Sequence, residues 1–141
     1  MRSILVVSLF VLSSLLVDQE PKGWELFEKV KFSPKYFEEA EAYFDVPTFN
    51  EELKALEKTE VTLTGHYIPL ELDSIFMLSA LPFSSCFFCG GAGPETVAEI
   101  QMEKIPALAP DQIVKVKGRL RLNDSDINHM NFILEDSKII K

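Results

Sequence analysis

Residues 113–122 read I-V-K-V-K-G-R-L-R-L. Val114, Val116, Leu120 and Leu122 alternate with Lys115, Lys117, Arg119 and Arg121. A period of two predicts a strand with one face in a core and the other in water. Gly118 interrupts the apolar row and predicts a bulge or sharp bend, which a small barrel needs in order to close. The flanking sequence extends this pattern in both directions. Downstream, Asn123, Asp124, Ser125 and Asp126 form a turn cluster, followed by a further strand over 130–134. Upstream, residues 60–70, 72–81 and 96–102 read as three more strands, and 106–111 (P-A-L-A-P-D) as a connector. Five short antiparallel strands, one bent at glycine, predict a mainly β (α+β) domain: a small OB-like barrel. The helix often found between the third and fourth strands of such a barrel has no counterpart in the sequence.

The barrel domain is expected over 58–141, preceded by a helical or irregular wrap over 18–57. In the wrap, W-E-L-F-E-K-V (24–30) puts Trp24, Phe27 and Val30 on one helical face. Ser33-Pro34 reads as an N-cap with proline at the first helical position, opening a helix through Phe37, Ala40 and Phe44 that Pro47 ends. Another helical turn is expected after Asn50, carrying Leu53 and Leu56 inward. The aromatic residues of this segment are expected to be core contacts. Residues 1–17 hold one arginine and then an apolar run with serines, too short for a comfortable membrane span. That is the layout of a secretory signal, and it predicts export to the periplasm or cell envelope.

A chain of 141 residues, 47% hydrophobic and 11% aromatic, is long and apolar enough for one sizeable core. Its formal net charge of -8 leaves no basic surface for phosphates, which argues against nucleic-acid binding.

The chemistry concentrates in 81–95, L-P-F-S-S-C-F-F-C-G-G-A-G-P-E, which holds both cysteines, Cys86 and Cys89. Glycine and proline make this an ordered loop, not a helix or strand. Three readings are open. As a metal knuckle, two thiolates two residues apart bind one ion, and Gly90 lets the chain turn so that backbone N–H groups face the sulfurs. Zinc then needs further ligands, for which His66 is the first candidate, with His129, Glu95, Asp124 and Asp126 behind it. Thiolates are soft donors, so zinc is favoured over hard cations, and copper(I) would also suit them. As a redox dithiol, the motif lacks the following helix that lowers a thiol pKa in thioredoxin-like sites. As a local disulfide, it would constrain little unfolded-state entropy.

Phe83, Phe87 and Phe88 would shield a metal or dock a partner protein. A lone histidine on a strand, as His66 is beside Gly65 and Tyr67, is more often a partly buried, hydrogen-bonded residue than a ligand, and His129 is expected to face solvent. The Asn123–Asp126 cluster lacks EF-hand spacing and is read as turn chemistry. No nucleophile–base constellation is legible, so the chain does not read as an enzyme.

Four segments carry a family resemblance: W-E-L-F-E-K-V-K-F (24–32), V-T-L-T-G-H-Y-I-P-L (61–70), P-F-S-S-C-F-F-C-G-G-A-G-P-E (82–95) and V-K-G-R-L-R-L-N (116–123). Together they resemble the DUF3299 family of small, exported, OB-like bacterial proteins. The resemblance implies an envelope protein without enzymatic activity, accompanying transporter-type ATPases and permeases and linked to zinc uptake. Many members of that family carry a cysteine and a histidine in this loop, where this chain has Cys86 and Cys89, and a tyrosine where His66 stands. The expected function is an exported accessory protein binding zinc through Cys86, Cys89 and His66, with an envelope transporter as partner. The alternatives are a thiol–disulfide redox protein and a protein-interaction module.

Overall fold

The computed structural model describes residues 23–140, so the leader expected over 1–17 lies outside the described residues. In chain order the elements are α1 (Glu25–Glu28), β1 (Lys31–Phe37), β2 (Ala42–Thr48), α2 (Glu51–Leu56), β3 (Glu60–Ile68), β4 (Ile75–Ser79), β5 (Val97–Gln101), β6 (Ile113–Leu122) and β7 (Phe132–Ile140). Strands β3 to β7 close into a barrel in the order β3-β4-β5-β7-β6, with β6 returning to β3. This is the OB-like barrel expected from the strand pattern. One pairing departs from an all-antiparallel sheet: β5 and β7 run parallel through Glu99↔Ile133 and Ile100↔Leu134. The fifth strand slots between the third and fourth when the barrel closes and, being antiparallel to β6, it runs in the same sense as β5.

Alternation explains which face each strand buries. Along β3, Val61, Leu63, Gly65 and Tyr67 are buried, and along β6, Val114, Val116, Gly118 and Leu120. The outward cations of β6 meet acids on the neighbouring strands: Lys117 Nζ lies 3.6 Å from Glu60, Arg119 2.8 Å from Asp136 and Arg121 3.0 Å from Glu135. The Lys117–Glu60 and Arg119–Asp136 pairs are largely exposed and contribute little to stability, whereas the Arg121–Glu135 pair is half-buried.

The bend at Gly118 is a bulge whose extra residue belongs to β7. Lys117 pairs with Lys138 but Arg119 with Glu135, so Asp136 and Ser137 together oppose Gly118. Asp136 takes a positive φ of 48°. A Cβ on Gly118 would collide with Ser137 Oγ and come within 2.9 Å of Leu134 Cβ. Gly118 thus permits the close approach that the bulge on its partner strand demands.

The wrap differs from expectation over 33–44. No helix forms there: β1 and β2 make an antiparallel hairpin, with Tyr36 opposite Tyr43 and Phe32 opposite Pro47. The turn passes through a 3-10 segment (Glu38–Ala40) and Glu41 at φ 49°. Aromatic pairs decide the outcome. Tyr36 and Tyr43 rings lie 5.2 Å apart and Phe37 and Phe44 5.7 Å, contacts that one isolated helix could not supply. Pro34 and Pro47 are tolerated because each strand of a two-stranded ribbon has an edge without a partner.

The two short helices form as expected and close one end of the barrel. Asn50 Oδ1 accepts from Leu53 N–H at 2.8 Å, capping α2. Leu26, Phe27, Val30 and Leu53 join the barrel's own apolar cluster. Phe27 stacks on Phe132 of β7 with ring centres 3.9 Å apart. Trp24 is tied to the barrel by its indole N–H, which donates to Thr64 O at 2.8 Å.

Candidate functional site

The 82–96 loop connects β4 to β5. Its base is closed by Ala80 N–H donating to Thr96 O at 2.9 Å, and its body is three 3-10 turns, Phe83–Ser85, Phe87–Cys89 and Pro94–Thr96. Cys86 N–H donates to Phe83 O, and the N–H groups of Cys89 and Gly91 both donate to Cys86 O at 3.2 Å. Gly90 sits at φ 76°, the left-handed geometry that allows the chain to turn back after Cys89. The C-x-x-C-G spacing therefore folds as a tight turn that brings the two sulfurs together.

Both cysteines are free thiols, with Cys86 buried and Cys89 exposed, and their sulfurs are 3.5 Å apart. Burial of Cys86 pushes its pKa up, but hydrogen bonds from the Cys89 thiol and from the backbone N–H groups of Cys89 and Phe88 outweigh it and bring the thiol below its ordinary value. Cys89 is shifted upward, first by donating its proton toward Cys86, then by desolvation and by the charge on Cys86. Its S–H also lies 3.0 Å from Phe83 O, so a single hydrogen has two acceptors within reach. The pair is asymmetric: the inner thiol is the more acidic of the two and the outer thiol the less acidic.

His66 is not gathered with the thiols. Its Nδ1 lies 3.0 Å from Asp111 Oδ1 and 3.2 Å from Asp111 O. Both partners are acceptors, so Nδ1 carries the hydrogen and Nε2 is the ring nitrogen left for coordination. The same Asp111 Oδ1 accepts from Phe83 N–H at 3.2 Å. Asp111, held at φ 66°, thereby joins the histidine strand to the first turn of the thiol loop. Sequence reading assigned Asp111 to a connector, because nothing local marks the residue that a distant loop will use.

Among the described residues, no group of three or more His, Cys, Asp or Glu side chains is close enough to hold a metal ion. The donors that fit zinc are the two thiolates alone. Two sulfurs on one tetrahedral zinc, each at about 2.3 Å, subtend about 3.8 Å, close to the separation found here. Glu95, Asp124, Asp126 and His129 are not brought to them as ligands.

His129 also departs from expectation. Instead of facing solvent it is half-buried, and its Nδ1 donates to Glu99 Oε1 at 2.8 Å. Glu99, on β5, is buried and also accepts from Gln101 Nε2 at 2.8 Å and from Met130 N–H at 3.1 Å. The 123–131 segment covers this face of the strand. The Asn123 cluster is turn chemistry, as expected: Asn123 Oδ1 accepts from Asp126 N–H at 2.9 Å and Nδ2 donates to Asp126 O at 2.7 Å.

Of the three loop phenylalanines, Phe88 is 52% exposed, Phe83 is half-buried through the Asp111 anchor, and Phe87 lines a cavity of about 380 Å³ shared with the β1–β2 hairpin and the 123–131 segment. Phe87 and Phe88 meet edge to face with ring centres 5.3 Å apart. Comparison with known proteins adds no relative: no family model, curated protein or solved structure matches the chain.

Proposed function

We propose that this chain is an exported accessory protein of the periplasm or cell envelope that carries a soft metal ion, zinc foremost, between Cys86 and Cys89. The observation that supports the reading is the pair of free sulfurs 3.5 Å apart, with backbone N–H groups directed at the inner one. A thiolate already favoured by its surroundings binds metal with less competition from protons. Two thiolates leave a tetrahedral ion two ligands short, and a transport protein in the membrane would supply them during transfer. His66 Nε2 is the nearest intramolecular alternative in chemical type, and it would need the Asp111 contact to let the loop approach. Phe88, exposed beside the outer thiol, suits contact with that partner. The membership suggested by the DUF3299 resemblance is part of this proposal and agrees with its chemistry.

A second reading is favoured by the asymmetry of the thiols. In a redox dithiol, the loop first opens to uncover Cys86, whose thiolate attacks a partner disulfide and releases one partner thiolate. Cys89, after losing its proton, then displaces the second, leaving a Cys86–Cys89 disulfide and a reduced partner. Metal content and free-thiol count on protein purified anaerobically without chelator separate the two. About one equivalent of zinc, lost together with both thiols in the Cys86→Ala/Cys89→Ala variant, supports the carrier. Unchanged metal stoichiometry in that folded variant sinks it. Protein without metal that reduces a model disulfide with loss of two thiols supports the redox reading instead.

A further inference from the structure

The cavity beside the thiol loop has a composition that the metal reading does not use. It lies where three segments distant in sequence meet: the hairpin, the loop at Phe87, and the turn cluster between β6 and β7. Tyr43, Phe44 and Phe87 supply aromatic walls, and Asp45, Asp124 and Asp126 supply acids. Among the described residues, no lysine or arginine lines it. Tyr43 and Phe44 are 71% and 41% exposed, so their rings are available without unfolding the hairpin. Hydrogen bonds from the backbone and side chain of Asn128 hold the Asp126 carboxyl below its usual range, which keeps it charged. His129 lines the same space with its ring orientation set by Glu99.

Aromatic faces carry negative potential, and carboxylates add to it, so such a cavity favours a cation. The hairpin already shows this preference: Lys35 Nζ sits 5.2 Å from the centre of the Phe37 ring. A hard metal ion fits poorly. It needs several convergent oxygens, Asp126 Oδ1 is committed to Asn128 at 2.9 Å, and no three such donors gather among the described residues. An organic cation needs no such cage, only a wall of rings and a counter-charge nearby. Its volume, about 380 Å³, falls in the range of small-molecule sites.

We propose that this cavity binds a small organic ammonium ion, quaternary or protonated, enclosed by Tyr43, Phe44 and Phe87 with Asp124 and Asp126 as counter-charge. The ligand's apolar groups rest on the rings and its positive charge is shared between ring faces and carboxylates. The site does not include the thiols: of the 82–96 loop, Phe87 and Pro94 line it, and neither cysteine does.

The test is calorimetric titration of the full chain with choline and with its neutral carbon isostere, in which a tert-butyl group replaces the trimethylammonium. The two ligands share shape and differ in charge. Choline is expected to bind about tenfold more tightly than the isostere. Phe44→Leu and Asp124→Asn should each weaken choline by about threefold to tenfold while leaving the isostere nearly unchanged. Equal affinity for both ligands, or binding of neither, overturns the proposal. So does choline binding that survives in a folded Phe44→Leu/Asp124→Asn double variant. The Cys86→Ser/Cys89→Ser variant should bind choline as the parent does, so failure here and failure of the metal reading are separately visible.

Discussion

The barrel and the 82–96 loop are held by different forces. Barrel strands share continuous ladders and a core in which Phe27, Phe76, Phe132, Leu63, Leu78 and Leu120 are almost wholly removed from water. The loop buries one thiol and keeps its shape through short turns, Gly90 and a remote hydrogen bond from Phe83 N–H to Asp111. Apolar burial is cooperative and spread over many side chains, whereas the loop depends on a few hydrogen bonds that water can replace. Stability should therefore reside in the barrel and reactivity in the loop, so that each can change without the other.

The strongest test of that division is Phe132→Ala, which removes a ring stacked on Phe27 at the junction of wrap and barrel. It is expected to destabilise the fold by about 3–5 kcal/mol in denaturant unfolding. Thiol reactivity under native conditions should stay unchanged; a large increase would mean that loop and core are coupled. Next comes Gly118→Val, where the new side chain meets Ser137 and Leu134 at the bulge. A loss of about 1–3 kcal/mol is expected by the same measurement, and a neutral result would show that the bulge can relax.

Asp111→Ala should act in the opposite sense. It frees Phe83 N–H and His66 and costs the global fold about 1 kcal/mol or less, while Cys86 becomes several-fold more reactive to alkylating reagents. Asp111→Asn, which keeps an acceptor oxygen, should restore most of the protection. If alkylation does not change, the loop is self-supporting. The smallest effect concerns pH. Cys86 has a lowered pKa and Cys89 a raised one, so ultraviolet thiolate absorbance should rise in two steps, one below and one above the ordinary thiol range. The folded state's preference for the Cys86 thiolate is present above the unfolded-state pKa and is lost as pH falls through the lowered folded value. A single step at the ordinary thiol pKa would remove the asymmetry on which the redox reading rests.

Much of the barrel was legible because its signals are local. Residues 113–122 coincide with β6, and the alternation of 60–70 marks β3 with its buried row intact. The ordered loop with its two adjacent thiols was legible for the same reason, since Cys86, Cys89 and Gly90 lie within one turn of chain. The hairpin was not. Ser33-Pro34 serves equally as a helix start or as an edge-strand residue, and only pairing of Tyr36 with Tyr43 across the turn separates them. His129 was misplaced because its partner, Glu99, is on another strand, thirty residues away in sequence.

The sequence by itself determined that this chain makes a small β barrel with a glycine bend, a capped helix at Asn50 and an ordered loop with two adjacent thiols. Those outcomes follow from periodicity, capping and backbone freedom, which act over a few residues. Tertiary structure alone decided that Asp111 links His66 to the thiol loop, that Glu99 orients His129, and that Phe44, Phe87 and Asp124 line one cavity. Those groups converge only after strands far apart in sequence pair and the barrel closes, and no local pattern encodes the register in which they meet.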